Sequence, residues 1–216
     1  MQIKHINYIF KKLSKDYSRP QTELKHINHF TFLVSVILSA QATDISVNKA
    51  TKELFKHVKT PQDMLNLGEK KLKIYIKSIG LFNVKAKNLI KLSKILLEEY
   101  NNKIPKDFDE LINLPGVGNK TASVFQNVAL KLPRIAVDTH VFRVANRTGM
   151  VKANNPNLTQ LLLEKLVPKK WLLNAHHLMI LHGRYICKSQ KPLCHKCSIF
   201  DLCHYKEKKF FYKNEK

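Results

Sequence analysis

Four cysteines near the C-terminus form the most distinctive chemical group in the sequence. They follow the pattern Cys187-x6-Cys194-x2-Cys197-x5-Cys203, and the chain has no other cysteine. Thiolates are soft ligands, and four of them in tetrahedral array suit either a zinc ion or a cubane iron–sulfur cluster. Disulfide bonds are a weaker alternative, because a secreted disulfide scaffold spreads its cysteines along the chain. Spacing and residue type alone leave zinc and iron–sulfur both open.

A lysine and an aspartate farther upstream form a second candidate site. Lys120 falls in the first turn of a predicted helix after Pro115–Gly118, and Asp138 opens the later sequence Val-Asp-Thr-His. The positive end of a helix dipole disfavours a charged lysine and favours a nucleophilic amine. The helix after Gly118 rises by roughly 18 Å, and the extended connector 130–137 can span the return. The two side chains can therefore meet, although phosphate binding by Lys120 and helix capping by Asp138 are the ordinary alternatives.

The turn before this lysine carries the string Leu-Pro-Gly-Val-Gly-x-Lys. Two glycines two residues apart let the backbone take positive φ and approach a ligand closely, and the amides of a helix N-terminus suit a phosphate. An ordinary corner between two helices is the alternative. The full string resembles the helix–hairpin–helix motif of DNA-repair proteins, which grips backbone phosphates without reading sequence. It predicts such a motif at about 107–128, in which Gly116, Val117 and Gly118 contact DNA.

The charge of the chain also favours an anionic partner. Its 216 residues include 38 Lys and Arg against 16 Asp and Glu, which gives a formal net charge of +22. Nucleic acid is the first candidate for a chain this basic. Because most of these cations are lysines, whose codons are AT-rich, compositional drift is an alternative source of part of the charge. The outer helix face predicted for Lys85–Lys94 is one place where such drift would be tolerated.

Apolar residues recur at steps of three and four along almost the whole chain, which is the period of a helix. No segment shows the alternation of a β-strand, and the sequence therefore predicts an all-α protein. The longest strongly apolar run, Phe30–Leu38, is far shorter than the roughly 20 residues of a membrane helix. The N-terminus lacks the apolar core of a signal peptide. We expect a cytoplasmic monomer with no membrane segment.

Longer segments of the sequence resemble one family. Leu114–Ala122 and Ala136–Val144 are similar to the signature of the endonuclease III family, and Ser39–Asp44 and Ser78–Ala86 resemble two further segments of it. With the cysteine spacing, the similarity covers most of the chain. The position after the second glycine of the hairpin is often arginine in relatives and is Asn119 here. This difference removes one cation near the lysine but no catalytic group.

The resemblance implies an architecture of two helical domains that flank a DNA-binding groove. One domain would comprise 21–132 and carry the hairpin. The other would combine 1–20 with 133–204 and hold a structural [4Fe–4S] cluster through the four cysteines. Residues 205–216 are expected to form a flexible basic tail.

The resemblance also implies a bifunctional DNA glycosylase and abasic-site lyase of base excision repair, acting on damaged double-stranded DNA. Lys120 would attack the sugar C1′ of a flipped-out, oxidised pyrimidine nucleotide, and Asp138 would assist release of the base. β-Elimination from the resulting Schiff base would cleave the strand 3′ to the abasic site. The further residues implied to contact DNA are Gln41 and Leu81, which would fill the vacated space, His140, and Lys188 and Lys191 of the cysteine loop.

Two other functions remain open on the sequence. A monofunctional mismatch or adenine glycosylase shares the hairpin, the aspartate and the cysteines, but lacks a lysine at the position of Lys120. A non-catalytic helix–hairpin–helix module would bind DNA and would leave Lys120 and Asp138 without a chemical role. Incubation with DNA that contains an abasic site separates these functions, because a binding module shifts the DNA without nicking it.

Overall fold

The computed structural model describes residues 1–18 and 20–213, and within these ranges the chain forms helices and loops without a β-strand. This confirms the predicted all-α class. The α-helices, numbered in chain order, are α1 (Ile3–Asp16), α2 (His29–Ser39), α3 (Asp44–His57), α4 (Pro61–Ile76), α5 (Phe82–Glu98), α6 (Phe108–Asn113), α7 (Asn119–Val128), α8 (Thr139–Thr148), α9 (Pro156–Leu166), α10 (Leu172–Tyr185) and α11 (Lys208–Lys213). Across the described ranges, every helix is too short or too polar to traverse a lipid bilayer.

The chain folds into two compact units. Thr22–Lys131 forms the first, which we call the hairpin unit because it contains α6, α7 and the turn between them. Met1–Gln21 and Leu132–Lys216 together form the second, which we call the cysteine unit. The cysteine unit is thus assembled from both ends of the chain, and α1 is the contribution of the N-terminal segment.

The centre of the hairpin unit is α2, whose side chains are buried throughout Phe30–Leu38. The helix begins at Asn28, whose side chain accepts a hydrogen bond from the Thr31 amide while the Thr31 hydroxyl accepts one from the Asn28 amide. This capping box fixes where the helix starts. Helices α3, α5 and α7 pack against α2, and Phe32 stacks on Phe125 of α7 at a centroid distance of 6.2 Å. These contacts set the position of α7 and of the glycine turn that precedes it.

The core of the cysteine unit is formed by α1, α8 and α10. Its fully buried side chains include Ile6, Ile9, Phe10 and Leu13 on α1, Val141 and Val144 on α8, and Leu178 and Met179 on α10. Helices α8 and α10 approach closely because Gly183 has no side chain. A Cβ atom there would lie 2.9 Å from the Cβ of His140. This contact fixes α8, which begins directly after Asp138.

The segment after α10 forms short turns and one short helix. Single 3₁₀ turns lie at Cys194–Lys196 and Phe200–Leu202, and α11 follows them. The Nζ atom of Lys208, on α11, donates to the carbonyl oxygens of Phe200 at 2.8 Å and Cys203 at 2.6 Å. Part of the sequence predicted as a flexible tail is therefore a helix tied to the cysteine segment. Residues 214–216 of that predicted tail lie outside the described residues.

Candidate functional site

Two buried side chains anchor the glycine turn of the hairpin unit to the core. Leu114 and Val117 are 3% and 5% exposed, and the Val117 amide donates to the Leu114 carbonyl oxygen at 3.0 Å. The side chain of Val117 is therefore committed to the core, and its amide closes the turn. The amides that follow belong to the first turn of α7, where a helix offers donors without partners inside the helix.

The two glycines of the turn differ in backbone conformation and in the space around them. Gly116 has φ +84, and a Cβ atom there would lie 3.2 Å from Cγ2 of Ile37 and 3.3 Å from Cβ of Asn88. Gly118 caps α7 in extended conformation with φ −101, and a Cβ atom there would meet no atom within 4 Å. The expectation of a positive φ is thus correct for Gly116 and wrong for Gly118. The absent side chain at Gly118 instead leaves open space beside the N-terminus of α7.

Lys120 is the second residue of α7, and its side chain is exposed. It shares the first helical turn with the amides described above, so an anion held by this turn would lie close to its amine. On the opposite side, α7 is anchored by the fully buried Ala122 and Phe125. A rigid helix therefore presents the lysine, together with Gly116 and Gly118, on one surface of the hairpin unit.

Asp138 lies in the cysteine unit as the N-cap of α8, which confirms its predicted capping position. Its Oδ1 atom accepts hydrogen bonds from the amides of His140 at 2.9 Å and Val141 at 2.8 Å. The connector before it is also tied down. The Ile135 amide donates to Oε1 of Glu164 at 3.0 Å. The carboxylate of Asp138 lies at the positive end of the α8 dipole, which stabilises it. The carboxyl group of Asp138 is therefore held in one orientation.

His140 faces an arginine across the first turn of α8. Its Nδ1 atom lies 3.1 Å from Nη2 of Arg143, which also donates to the Gly183 carbonyl oxygen at 2.8 Å. Because a guanidinium group only donates, Nδ1 accepts here and the imidazole is neutral, with its proton on Nε2. Burial lowers the pKa of His140, Asp138 acts in the opposite direction, and the charges of Arg143 and Arg184 lower the pKa further.

The four cysteines line one cavity in the cysteine unit. Its walls include all four thiol residues together with His182. Burial is the main cause that raises the pKa of three of these thiols, to about 12 for Cys197. Buried thiols without a cation therefore stay protonated, whereas a cationic metal centre would hold them as thiolates. In the described residues, no three Cys, His, Asp or Glu side chains are arranged to hold a single metal ion.

Arg147 of α8 holds the loop that follows Cys187. Its Nη1 atom donates to the Lys188 carbonyl oxygen at 2.6 Å, and its Nη2 atom donates to the Ser189 carbonyl oxygen at 2.7 Å. The guanidinium group also lies over the Tyr205 ring at 4.5 Å. The side chains of Lys188 and Lys191 on this loop are exposed. Sequence analysis missed Arg147, and the available signal was the rarity of arginine in a lysine-rich chain.

Gln41 and Leu81 lie in neighbouring turns of the hairpin unit. Both have a left-handed backbone, with φ 55 and φ 59, although neither is glycine. The Leu81 side chain is 59% exposed, which excludes a core role for it, and Gln41 is exposed as well. Non-glycine residues in this region are strained and cluster at functional sites. Lys85, close by on α5, is buried, so its predicted place on an outer helix face is wrong.

The predicted site residues thus fall into two groups. The hairpin unit carries Gly116, Val117, Gly118 and Lys120 on one turn, and Gln41 and Leu81 on another pair of turns. The cysteine unit carries Asp138 and His140 at the start of α8, and the four cysteines with Lys188 and Lys191 near the end of that helix.

Comparisons of the sequence and of the structure with known proteins point to the same family. A family model described as HhH-GPD superfamily base excision DNA repair protein matches residues 34–169. The chain is 56% identical to endonuclease III of Rickettsia conorii over 205 residues, 95% of this chain and 98% of that protein. It is 50% identical to endonuclease III of Escherichia coli, with 93% and 95% covered. Its structure matches that of a trapped endonuclease III–DNA covalent intermediate with TM-score 0.90, 42% identity, and 97% and 98% coverage.

These likenesses first define a class, the helix–hairpin–helix proteins of base excision DNA repair, because the family model covers more than half of the chain. Within that class, the chain is 45–56% identical to proteins named endonuclease III over nearly their whole length. The chain belongs to the endonuclease III family, which confirms the resemblance seen in the sequence. Members of this family are enzymes that act on DNA, and they generally carry an iron–sulfur cluster.

Proposed function

We propose that the chain is a bifunctional DNA glycosylase and abasic-site lyase that removes oxidised pyrimidines from double-stranded DNA. It acts as a monomer in the cytoplasm. The observation that carries the proposal is the exposed position of Lys120 at the start of α7, in a chain whose structure matches that of a trapped endonuclease III–DNA covalent intermediate. A covalent intermediate needs a nucleophile, and an exposed lysine amine on the turn that holds the DNA backbone can supply one.

The hairpin supplies sequence-independent binding. A phosphate group fits beside the first turn of α7, where the amides point outward and the missing side chain of Gly118 leaves room. Basic groups elsewhere add attraction that falls as the salt concentration rises. Such contacts fix the position of the strand without reading its bases, which suits an enzyme that searches for rare lesions.

The chemistry then proceeds at the sugar. The Nζ lone pair of Lys120 forms a bond to C1′ while the C1′–N bond to the base breaks, and the base leaves with that electron pair and takes up a proton. The sugar ring opens to a protonated imine, loses a C2′ proton, and expels the 3′ phosphate by β-elimination. Water releases the product aldehyde and restores the amine. The carboxylate of Asp138 assists base release by stabilising positive charge on the sugar.

The damaged nucleotide must leave the helix before this attack, and the unstacking costs a few kcal/mol. Gln41 and Leu81 are suited to occupy the space that remains, because both are exposed on adjacent turns of the hairpin unit. His140 and the loop lysines Lys188 and Lys191 supply further contacts to the strand.

The four thiols around the cysteine cavity are the donor set that a [4Fe–4S] cluster needs. Each of four thiolates binds one iron of a cubane, so the ligands surround the group, and a cavity walled by four cysteines meets that need. The cluster would supply a rigid anchor for the loop after Cys187, while Arg147 holds the same loop through its carbonyl groups. Iron and sulfide analysis of anaerobically purified protein tests this assignment. A colourless preparation that contains zinc and no iron would overturn it.

Borohydride trapping tests the nucleophile. The wild-type protein should form a covalent adduct with DNA that contains an abasic site, and Lys120→Gln should form none while still shifting the DNA. Lys106→Gln is the matched control, since it removes an exposed lysine of the same unit. An adduct with Lys120→Gln would disprove the assignment. Wild-type protein that shifts abasic-site DNA without nicking it would instead indicate a binding module.

Asp138→Asn separates the charge of the aspartate from its structural role. Asparagine is as good an N-cap as aspartate, so α8 should keep its stability. We expect near-normal DNA affinity and base release that is slower by a factor on the order of 10² or more. Single-turnover kinetics on a duplex with an oxidised pyrimidine measure this. Unchanged turnover would remove Asp138 from the catalytic residues.

A further inference from the structure

A buried lysine lies beside the two left-handed turns of the hairpin unit. Among the lysines of the described residues, Lys85 alone is buried, with 6% of its surface exposed. Its Nζ atom donates to the carbonyl oxygens of Leu38 at 2.9 Å and Ala40 at 2.6 Å. Burial lowers the pKa of this group. Both oxygens lie at the C-terminal end of α2, whose negative dipole end is a favourable place for an ammonium ion.

The hydrogen bond to Ala40 controls the backbone of the next residue. The Ala40 oxygen belongs to the peptide group that joins Ala40 to Gln41, and the φ angle of Gln41 sets how that group is rotated. Gln41 has φ 55, a conformation that glutamine adopts only when surrounding contacts enforce it. By holding this oxygen, the ammonium group of Lys85 holds the left-handed turn.

The same lysine is also bonded to the second turn. The Lys85 amide donates to the carbonyl oxygen of Leu81 at 3.0 Å, which is the first helical hydrogen bond of α5. Leu81 has φ 59 and caps this helix. The two turns are adjacent, because a Cβ atom at Gly80 would lie 3.9 Å from the carbonyl oxygen of Gln41. One residue therefore connects the backbones of Gln41 and Leu81, through its side chain and its amide respectively.

We propose that Lys85 is a positioning residue that holds Gln41 and Leu81 in the arrangement with which they fill the space left by the flipped-out nucleotide. The inference rests on the proposed function. Insertion into stacked bases pushes against both turns, and turns that are already fixed lose no further conformational freedom on binding. The buried ammonium group supplies this rigidity at the turn of Gln41 without touching DNA, because it donates to the backbone carbonyl oxygens of Leu38 and Ala40.

The test compares Lys85→Met with Lys91→Met, which removes an exposed charge from the same helix. A duplex with 2-aminopurine opposite an abasic-site analogue reports insertion through its fluorescence. We expect Lys85→Met to lose most of the fluorescence change and to release an oxidised base at least about tenfold more slowly, while Lys91→Met behaves as wild type. Trapping on single-stranded abasic DNA, which has no space to fill, should change by less than about twofold.

A double variant gives the second measurement. If Lys85 acts through Gln41, the rate for Lys85→Met combined with Gln41→Ala should be no lower than that for Gln41→Ala alone. Lys85→Gln, which keeps N–H donors but no charge, should release the base at a rate between those of wild type and Lys85→Met, and circular dichroism verifies folding. A folded Lys85→Met that matches Lys91→Met, additive effects, or failure of both Lys85 variants to fold would each overturn the proposal. Wild-type protein without base release or adduct would instead overturn the proposed function.

Discussion

The two glycines of the hairpin allow folding and DNA binding to be tested separately. Gly116→Ala forces alanine into a left-handed conformation, which costs about 1–2 kcal/mol. Alanine also reduces the conformational freedom of the unfolded chain, which offsets about 0.4–1 kcal/mol of this cost. The new Cβ atom would also lie 3.2 Å from Cγ2 of Ile37 and 3.3 Å from Cβ of Asn88, so both neighbours must shift. We expect a net destabilisation of about 1–2 kcal/mol.

Gly118→Ala is the matched variant, with the same added methyl group and a different outcome. Its φ of −101 suits alanine, and its Cβ atom meets nothing within 4 Å. The gain from reduced chain freedom and the loss from a poorer N-cap are of similar size, so stability should hardly change. The methyl group would nevertheless occupy the space proposed for a phosphate, and we expect a dissociation constant at least about fivefold higher, about 1 kcal/mol.

Thermal unfolding followed by circular dichroism measures the first effect, and fluorescence anisotropy with a duplex carrying an abasic-site analogue measures the second. At roughly 2–4 °C per kcal/mol, Gly116→Ala should lower Tm by about 2–8 °C, whereas Gly118→Ala should leave it unchanged. Equal effects of the two variants on Tm would refute the conformational reasoning. Full DNA affinity for Gly118→Ala would refute phosphate binding at this turn.

Three further predictions concern the cysteine unit. Burial lowers the pKa of His140 in the folded protein, so its contribution to stability is present above about pH 6.5 and is lost as the pH falls. Urea unfolding at pH 7.5 and pH 5 should therefore show that the free energy of unfolding decreases less for His140→Gln than for wild type. Equal decreases would contradict this. Arg147→Lys cannot span two carbonyl groups, so trypsin should cleave after Lys188 faster than in the control Arg134→Lys; equal cleavage rates would argue against the bridge. Gly183→Ala would place a Cβ 2.9 Å from that of His140 and should destabilise the protein by about 1–3 kcal/mol in the same unfolding assay, and wild-type stability would show that α8 and α10 can separate without cost.

Local signals in the sequence were sufficient for the helices and for part of the site. Helical periodicity predicted the all-α class, and the residue types around Asp138 predicted an N-cap that the structure contains. Each of these features depends on a few neighbouring residues, so the sequence states it directly. The family resemblance added the proposed roles of the four cysteines as cluster ligands and of Lys120 and Asp138 as the catalytic pair, which periodicity alone does not assign.

Features that depend on contacts between distant residues were not predictable in this way. Arg147 reaches a carbonyl group 41 positions away, and Lys85 reaches one 45 positions away. Periodicity predicts that a charged residue of a helix is exposed to solvent. The prediction for Lys85 was therefore wrong, because its partners are distant in sequence. The positive φ expected at Gly118 failed for a different reason, since the cap of α7 needs extended backbone and Gly116 alone makes the turn.

The division of the cysteine unit between both ends of the chain has a consequence for biosynthesis. The hairpin unit is continuous, so it can fold as soon as Lys131 has left the ribosome. Helix α1 is made first, but its buried face of Ile6, Ile9, Phe10 and Leu13 has no partners until α8 and α10 follow. At a synthesis rate of about 5–20 residues per second, this apolar face stays unpacked for roughly ten to thirty seconds. The nascent chain therefore exposes the apolar face of α1 until the whole of α10 has been synthesised.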